Sequence, residues 1–256
     1  MTDARLPLPD PKIARGPYRP FTSDPGWSEA WWWLSIPLLT AAFILASYWL
    51  ARDFYMQWVL PEGYGFLEIG HFFIPLAAAI VAFRLLFKPF VRARPFTFAF
   101  LLIAGLGCFY IAGEEHSWGQ HFFNWNTPEY WAEVNRQAET NLHNVHEWFN
   151  HQPRAVIQAG VFIGGLLVPL AAWLFPIVRR NRWSLFLPAA ALVPTALGWL
   201  LFRCSSQMNK AFGVSLVQRP SESVETFIYL FLLFYLIVFA RRIKQLEIAE
   251  GALPNS

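Results

Sequence analysis

Glutamate and histidine side chains suited to acid–base or metal chemistry are concentrated in three stretches of this sequence. The stretch IAGEEHSWGQHFFNW (111–125) contains Glu114 and Glu115 side by side, followed by two histidines. The stretch EIGH places Glu68 three residues before His71, the spacing of the Glu-x-x-His motif in di-iron helical bundles. Carboxylates and imidazole nitrogens are ligands of zinc and non-haem iron, so these residues predict a metal site.

The third stretch predicts an amphipathic helix over about 127–150. Thr127 suits the N-cap position and Pro128 suits the first helical position. At about 100° per residue, a polar stripe borders the apolar face of this helix. The stripe consists of Glu139, His143, His146 and Asn150. We expect the stripe to face a crevice, with the helix on the membrane surface or packed over the bundle.

Two hydrolytic chemistries are compatible with these groups. In the first, zinc or iron activates water, and Glu114 or Glu115 is the acid or base. In the second, no metal takes part: the glutamate pair activates water, and histidine and asparagine side chains, including Asn150, stabilise the oxyanion. The candidate metal ligands are His121, His143, His146, Glu139, Glu68 and His71.

The metal-free chemistry resembles that of the CAAX-processing and bacteriocin-processing glutamyl intramembrane proteases. Glu114 and Glu115 match the pair that opens the Glu-Glu-x-x-x-Arg helix of that family, and His146 with Asn150 matches its His-x-x-x-Asn/Asp element. Gly119 occupies the arginine position, and no suitable span contains Phe-x-x-x-His. The protease activity is therefore not carried over to this chain.

A second resemblance is to uncharacterised bacterial polytopic membrane proteins. The segments EEHSWGQ (114–120) and ETNLHN (139–144) are similar to segments of those proteins, as is the acidic start of the last span. This resemblance implies a shared site on one side of the membrane without naming a reaction.

The composition indicates a membrane protein. The 256 residues are 55% hydrophobic and 14% charged, whereas soluble domains carry roughly 25% charged residues. The net charge is only +3 and no nucleic-acid-binding motif is present, so we expect no nucleic-acid partner. Two cysteines, Cys108 and Cys204, are too few for a Cys-based zinc site or a disulfide framework. The lipid bilayer is the expected environment.

Hydropathy predicts an all-α bundle of about six transmembrane helices, each near the length needed to cross an apolar core of about 30 Å. Residues 1–30 and 241–256 are then polar tails that flank a six-span domain over 31–240, and 113–154 is a polar outer connection. The predicted spans are 31–50, 66–87, 96–112, 155–178, 184–202 and 223–240.

Lysine and arginine positions predict the orientation of the bundle. Most of the 20 Lys and Arg residues lie in the two tails and in the connections after the second and fourth spans. In a six-span topology these segments share one side, which places both termini in the cytoplasm of a bacterial inner-membrane protein. All six histidines then lie on the outer side.

The outer side also carries basic and acidic residues near the last span. Arg203, Lys210 and Arg219 are candidates for binding a substrate phosphate. Glu222 and Glu225 are interpreted as partners of the N-terminal dipole of the last span.

These patterns favour one function and leave one alternative. The favoured function is a metal-dependent hydrolase or transferase that acts on a lipid or lipid-linked substrate at the outer leaflet. The alternative is a non-catalytic subunit or assembly factor of a larger membrane protein complex.

Overall fold

The computed structural model describes residues 21–135, 137–142, 145, 147–179 and 183–251, without the side chains at 147–151, 176 and 179. Among the described residues all regular secondary structure is helical. Six long helices are α1 (Trp27–Leu50), α2 (Phe66–Leu86), α3 (Pro95–Glu115), α4 (Glu147–Phe162, continued by Ile163–Leu167 and Val168–Leu174), α5 (Val193–Phe212) and α6 (Pro220–Gly251). Short helical segments are Arg52–Phe54, Tyr55–Val59, Pro89–Arg92, Ser117–Gly119, Gln120–Phe123, Glu129–Val134, Pro176–Arg179 and Ala190–Leu192.

Five of the long helices are long and apolar enough to cross a membrane. They are α1, α2, α3, α6 and the Gln152–Leu174 part of α4. Large apolar side chains on their outward faces, such as Ile103 and Leu106 on α3, are exposed and are consistent with contact with lipid chains. The structure thus confirms an all-helical fold among the described residues, and its five apolar helices are compatible with a multi-pass membrane protein.

The predicted span at 184–202 differs from the helix found there. Residues 183–189 form turns and extended backbone, because Pro188 lacks an N–H and disfavours helix at the residue before it. Helix α5 begins at Val193 and continues past Arg203 to Phe212, where Gly213 ends it with φ of +69°. Its second half is polar, and α5 is not among the five apolar helices.

Helix α6 is the centre of the bundle. In its most apolar stretch 72% of the residues are buried, against 22–39% in the other four apolar helices. Helices α2 and α5 pack directly on α6. The approach of α5 needs a glycine, because a Cβ on Gly198 would lie 2.2 Å from the ring of Phe227.

One end of the bundle gathers basic connections around the end of α6. Arg242 is buried and donates to both carboxylate oxygens of Asp24, at 2.7 and 2.8 Å. Lys88 pairs with Glu247 at 3.4 Å on the same end. Because α6 continues to Gly251, the first part of the segment predicted as a polar tail is helical.

The predicted outer helix over about 127–150 is interrupted. Its first part is helical over Glu129–Val134, and α4 begins at Glu147, but the described residues between them form turns and bends. Asn135 stops the first helix: its amide donates to the backbone oxygen of Asn141 at 2.8 Å, and Asn side chains compete with helical backbone bonding in this way. Glu139 therefore lies outside a helix, and His143 and His146 lie outside the described residues.

Candidate metal centre

Three helices bring ionisable side chains to one point at the end of the bundle opposite Arg242. We name Glu68, His71, Glu115, Glu222 and Glu225 the acidic cluster. The first two come from the first turns of α2, Glu115 is the last residue of α3, and the last two come from the start of α6. Ligand atoms of Glu68, His71 and Glu115 lie within 4.8 Å of one another, as do those of His71, Glu222 and Glu225.

The imidazole of His71 is fully buried and its tautomer follows from its partners. Its Nε2 lies 3.1 Å from the backbone oxygen of Glu222 and 2.9 Å from the Thr226 hydroxyl. Since a carbonyl oxygen only accepts, Nε2 carries the hydrogen, and in the neutral imidazole Nδ1 then presents a lone pair. Nδ1 has no hydrogen-bond partner in the described part of the chain and faces a Glu115 carboxylate oxygen at 3.6 Å.

A bound cation would resolve this opposition of a nitrogen lone pair and a carboxylate. Zinc and iron bind N and O ligands at about 2.0–2.2 Å, so ligands of one ion lie roughly 3–4.4 Å apart, within the spacing found here. Metal-binding histidines usually donate their other N–H to a carbonyl or carboxylate, as His71 does to Glu222. A donor set of one imidazole and two carboxylates, as in Glu68, His71 and Glu115, therefore fits a divalent metal.

Further contacts fix the carboxylates of the acidic cluster. The Tyr229 hydroxyl donates to Glu115 at 2.7 Å. Glu68 and Glu222 line the same cavity as Glu115.

Two arginines offset part of the negative charge. Arg154 of α4 lies 2.9 Å from Glu225, which is buried. Arg219, just before α6, lies 3.0 Å from Glu222 and 2.6 Å from the more exposed Glu62. With two guanidinium groups against four carboxylates, the acidic cluster keeps an excess of negative charge for a cation.

A second pair faces the acidic cluster across a cavity of about 190 Å³. His121 Nε2 lies 3.3 Å from Glu139, and the Ser117 hydroxyl donates to the same carboxylate at 3.0 Å. The hydrogen bond to Glu139 raises the pKa of His121. Burial raises the pKa of Glu139, but the bonds from His121 and Ser117 outweigh it and lower that pKa overall.

The His121–Glu139 pair should make stability depend on pH. Because the His121 pKa is raised, this residue contributes stability below about pH 6.5, and the contribution is lost as pH rises through the folded pKa. Because the Glu139 pKa is lowered, this residue contributes stability above about pH 4.3, and the contribution is lost as pH falls through its folded pKa. We expect Glu139→Gln to lower the melting temperature in detergent most near pH 5.5, and less at pH 9. An equal loss at both pH values would contradict the ion pair.

Glu114 turns away from the acidic cluster. The Trp118 indole donates to one of its oxygens at 2.8 Å, and the Leu142 N–H donates to the other at 2.7 Å. Glu114 thus ties the end of α3 to the outer connection, while Glu115 faces His71 and Tyr229.

Glu114→Gln should loosen the outer connection without removing a metal. The amide has one acceptor oxygen, so either Trp118 or Leu142 faces an N–H group instead of a carboxylate oxygen. Hydrogen bonds to charged groups are worth about 1.5–3 kcal/mol. We expect roughly tenfold or faster amide hydrogen exchange at Leu142, with metal content equal to that of the wild type. Loss of metal would contradict the separation of roles.

The remaining predicted site residues lie in different places. Arg203, Lys210 and Arg219 line a neighbouring cavity of about 650 Å³. His143 and His146 lie outside the described residues, and the side chain of Asn150 lies outside the described groups. The roles predicted for these residues stay predictions.

Sequence reasoning missed two carboxylates and a guanidinium group of the centre. Glu222 and Glu225 were interpreted only as dipole partners, and Arg154 was given no role. The available signal was spacing: Glu222 and Glu225 are three residues apart at the start of a span, like Glu68 and His71.

Comparisons with protein families, curated proteins and solved structures found no match to this chain.

Proposed function

We propose that this chain is an integral membrane hydrolase or transferase that uses zinc or iron at the acidic cluster and acts on a lipid or lipid-linked substrate at the outer leaflet. One observation carries the proposal: three helices direct four carboxylates toward the buried His71, whose Nδ1 has no hydrogen-bond partner among the described residues. Burying like charges together is costly unless a cation neutralises them.

The proposal includes six spans in a bacterial inner membrane, with both termini cytoplasmic. Support for α5 as the sixth span is its course beside α6. The turn before α5 meets Arg242, since the Leu185 oxygen accepts from that side chain at 3.1 Å. Beyond α5 the chain reaches Arg219 and Glu222 at the other end of α6. Its 20 residues extend about 30 Å, the thickness of the apolar core.

The proposed chemistry follows from the acidic cluster and the cavity of about 190 Å³ beside it. A bound divalent ion polarises a carbonyl or phosphoryl oxygen and lowers the pKa of water. Glu115 and Glu68 would hold the ion with His71, and Glu222, which lines the same cavity as both glutamates, is placed to accept or return a proton. The segments 114–120 and 139–144, on which the bacterial resemblance rests, supply Glu115 and Glu139 to this cavity.

A turnover assay tests this function. Protein without a histidine tag is placed in vesicles of bacterial lipids, and the lipids are followed by mass spectrometry with the metal present, after chelation, and after zinc or iron is restored. We expect product formation that chelation stops and metal restores. Turnover that is unaffected by chelation would overturn the metal mechanism. No turnover, together with stoichiometric partner proteins in mild detergent, would favour the non-catalytic subunit.

A further inference from the structure

The cavity beside the acidic cluster has the opposite charge. Its volume is about 650 Å³, and four cationic side chains line it against one carboxylate, that of Glu225. We name it the basic cavity; its cations are Arg154, Arg203, Lys210 and Arg219. Cationic groups around one cavity are suited to an anion with several oxygens, such as a phosphate.

Two of these cations, Arg203 and Lys210, have no carboxylate within ion-pair distance in the described part of the chain. The Arg203 guanidinium instead donates to the side-chain oxygen of Gln207, from Nη2 at 2.7 Å and from Nη1 at 3.0 Å, when the Gln207 amide is oriented so that both side chains are satisfied. Ser221, in the first turn of α6, lines the same cavity, and helix N-termini favour anions. The charges of Arg203 and Lys210 are thus available to a ligand.

The basic cavity shares lining residues with two other cavities. Arg154 and Glu225 line it, the cavity of the acidic cluster, and a narrow crevice of about 70 Å³. Apolar side chains of α3, α4 and α6 line much of that crevice, among them Ile111, Ile157 and Ile228. The ion pair of Arg154 and Glu225 therefore borders the basic cavity, the cavity of the acidic cluster and the apolar crevice.

We infer that the ligand of this region is a phosphate-bearing lipid. Its phosphate lies in the basic cavity, its first chain atoms lie in the apolar crevice, and the headgroup is held against the acidic cluster. The inference names the substrate class of the proposed function and rests on it for the reaction, whereas binding by the basic cavity does not need the metal.

The test is binding of phosphatidic acid in nanodiscs, measured after metal chelation, to the wild type and to the double variant Arg203→Gln, Lys210→Gln. Removing two charge-assisted contacts should weaken binding at least about tenfold. The matched control is Lys88→Gln, Arg92→Gln, which removes two charges at the other end of the bundle and should bind as the wild type does. Diacylglycerol, which lacks the phosphate, and inorganic phosphate are the comparison ligands.

Each outcome has a defined meaning. Phosphatidic acid binding more tightly than either comparison ligand, with the loss confined to the basic-cavity variant, supports the inference. Equal binding of diacylglycerol, or an unaffected double variant, overturns it. Inorganic phosphate binding as tightly as the lipid overturns the lipid assignment. A protein that binds phosphatidic acid but never holds metal overturns the proposed function and leaves this inference standing.

Discussion

Glu115→Gln is expected to raise the melting temperature of the metal-free protein and to remove most of the stabilisation that zinc or iron confers. Without metal, the variant relieves repulsion within the acidic cluster, and the amide oxygen still accepts from the Tyr229 hydroxyl. With metal, the variant has lost a ligand. A ligand present at 100 times its dissociation constant stabilises the wild type by about 2.7 kcal/mol, or roughly 5–10 °C.

The variant should gain melting temperature without metal and lose the stabilisation by metal. These two opposite effects distinguish a metal ligand from a residue with only a structural role. Loss of a group that only hydrogen-bonds to a metal ligand already weakens metal binding about 10–100-fold, so loss of a direct ligand should reduce the metal-induced rise in melting temperature to about 1 °C or less. Differential scanning fluorimetry with and without metal measures both effects. Glu250→Gln, at the other end of α6, is the matched control and should keep the full shift. A Glu115→Gln protein that is destabilised without metal but keeps the shift would show that Glu115 is structural.

Arg242→Met is expected to be the most destabilising single change at the basic end. The Arg242 and Asp24 side chains are each 1% exposed, and Arg242 also donates to backbone oxygens of the turn before α5. Removing one partner leaves a buried, uncompensated charge, at a cost of about 3–5 kcal/mol. Reversible unfolding by denaturant or heat in detergent measures this loss.

The neighbouring arginine supplies the control. Arg241 pairs with Glu29, but these side chains are 34% and 32% exposed, and exposed pairs contribute about 0–1 kcal/mol. Arg241→Met should therefore change stability little. The double variant Asp24→Leu, Arg242→Met should recover much of the loss, because it removes both buried charges. Equal effects of Arg241→Met and Arg242→Met would contradict the importance of burial.

The membrane spans could be predicted from the sequence where a run of apolar residues determines them. Apolar runs identified five helices, and the ends of α2 and α3 differ from the predictions by only a few residues. The predicted span at 184–202 was displaced because hydropathy does not register the helix boundary that Pro188 and Pro194 impose.

The site was predictable in composition but not in arrangement. Glu68, His71 and Glu115 were all named from sequence, but the direction of Glu115 relative to Glu114 depends on where α3 ends. That end is set by Ser117 and Trp118, whose φ values of +47° and +56° have no local sequence signal. Glu222 and Glu225 were missed because their role depends on α2 and α3 lying beside α6, a contact between distant segments.

The most direct test of the metal centre is the metal content of untagged protein, combined with X-ray absorption at the edge of the metal found. We expect stoichiometric zinc or iron with a shell of oxygen ligands and one imidazole, lost in His71→Ala and retained in Glu114→Gln. Protein that is purified and reconstituted with zinc and iron yet binds neither, or a metal that His71→Ala leaves unchanged, would contradict a metal centre built on Glu68, His71 and Glu115.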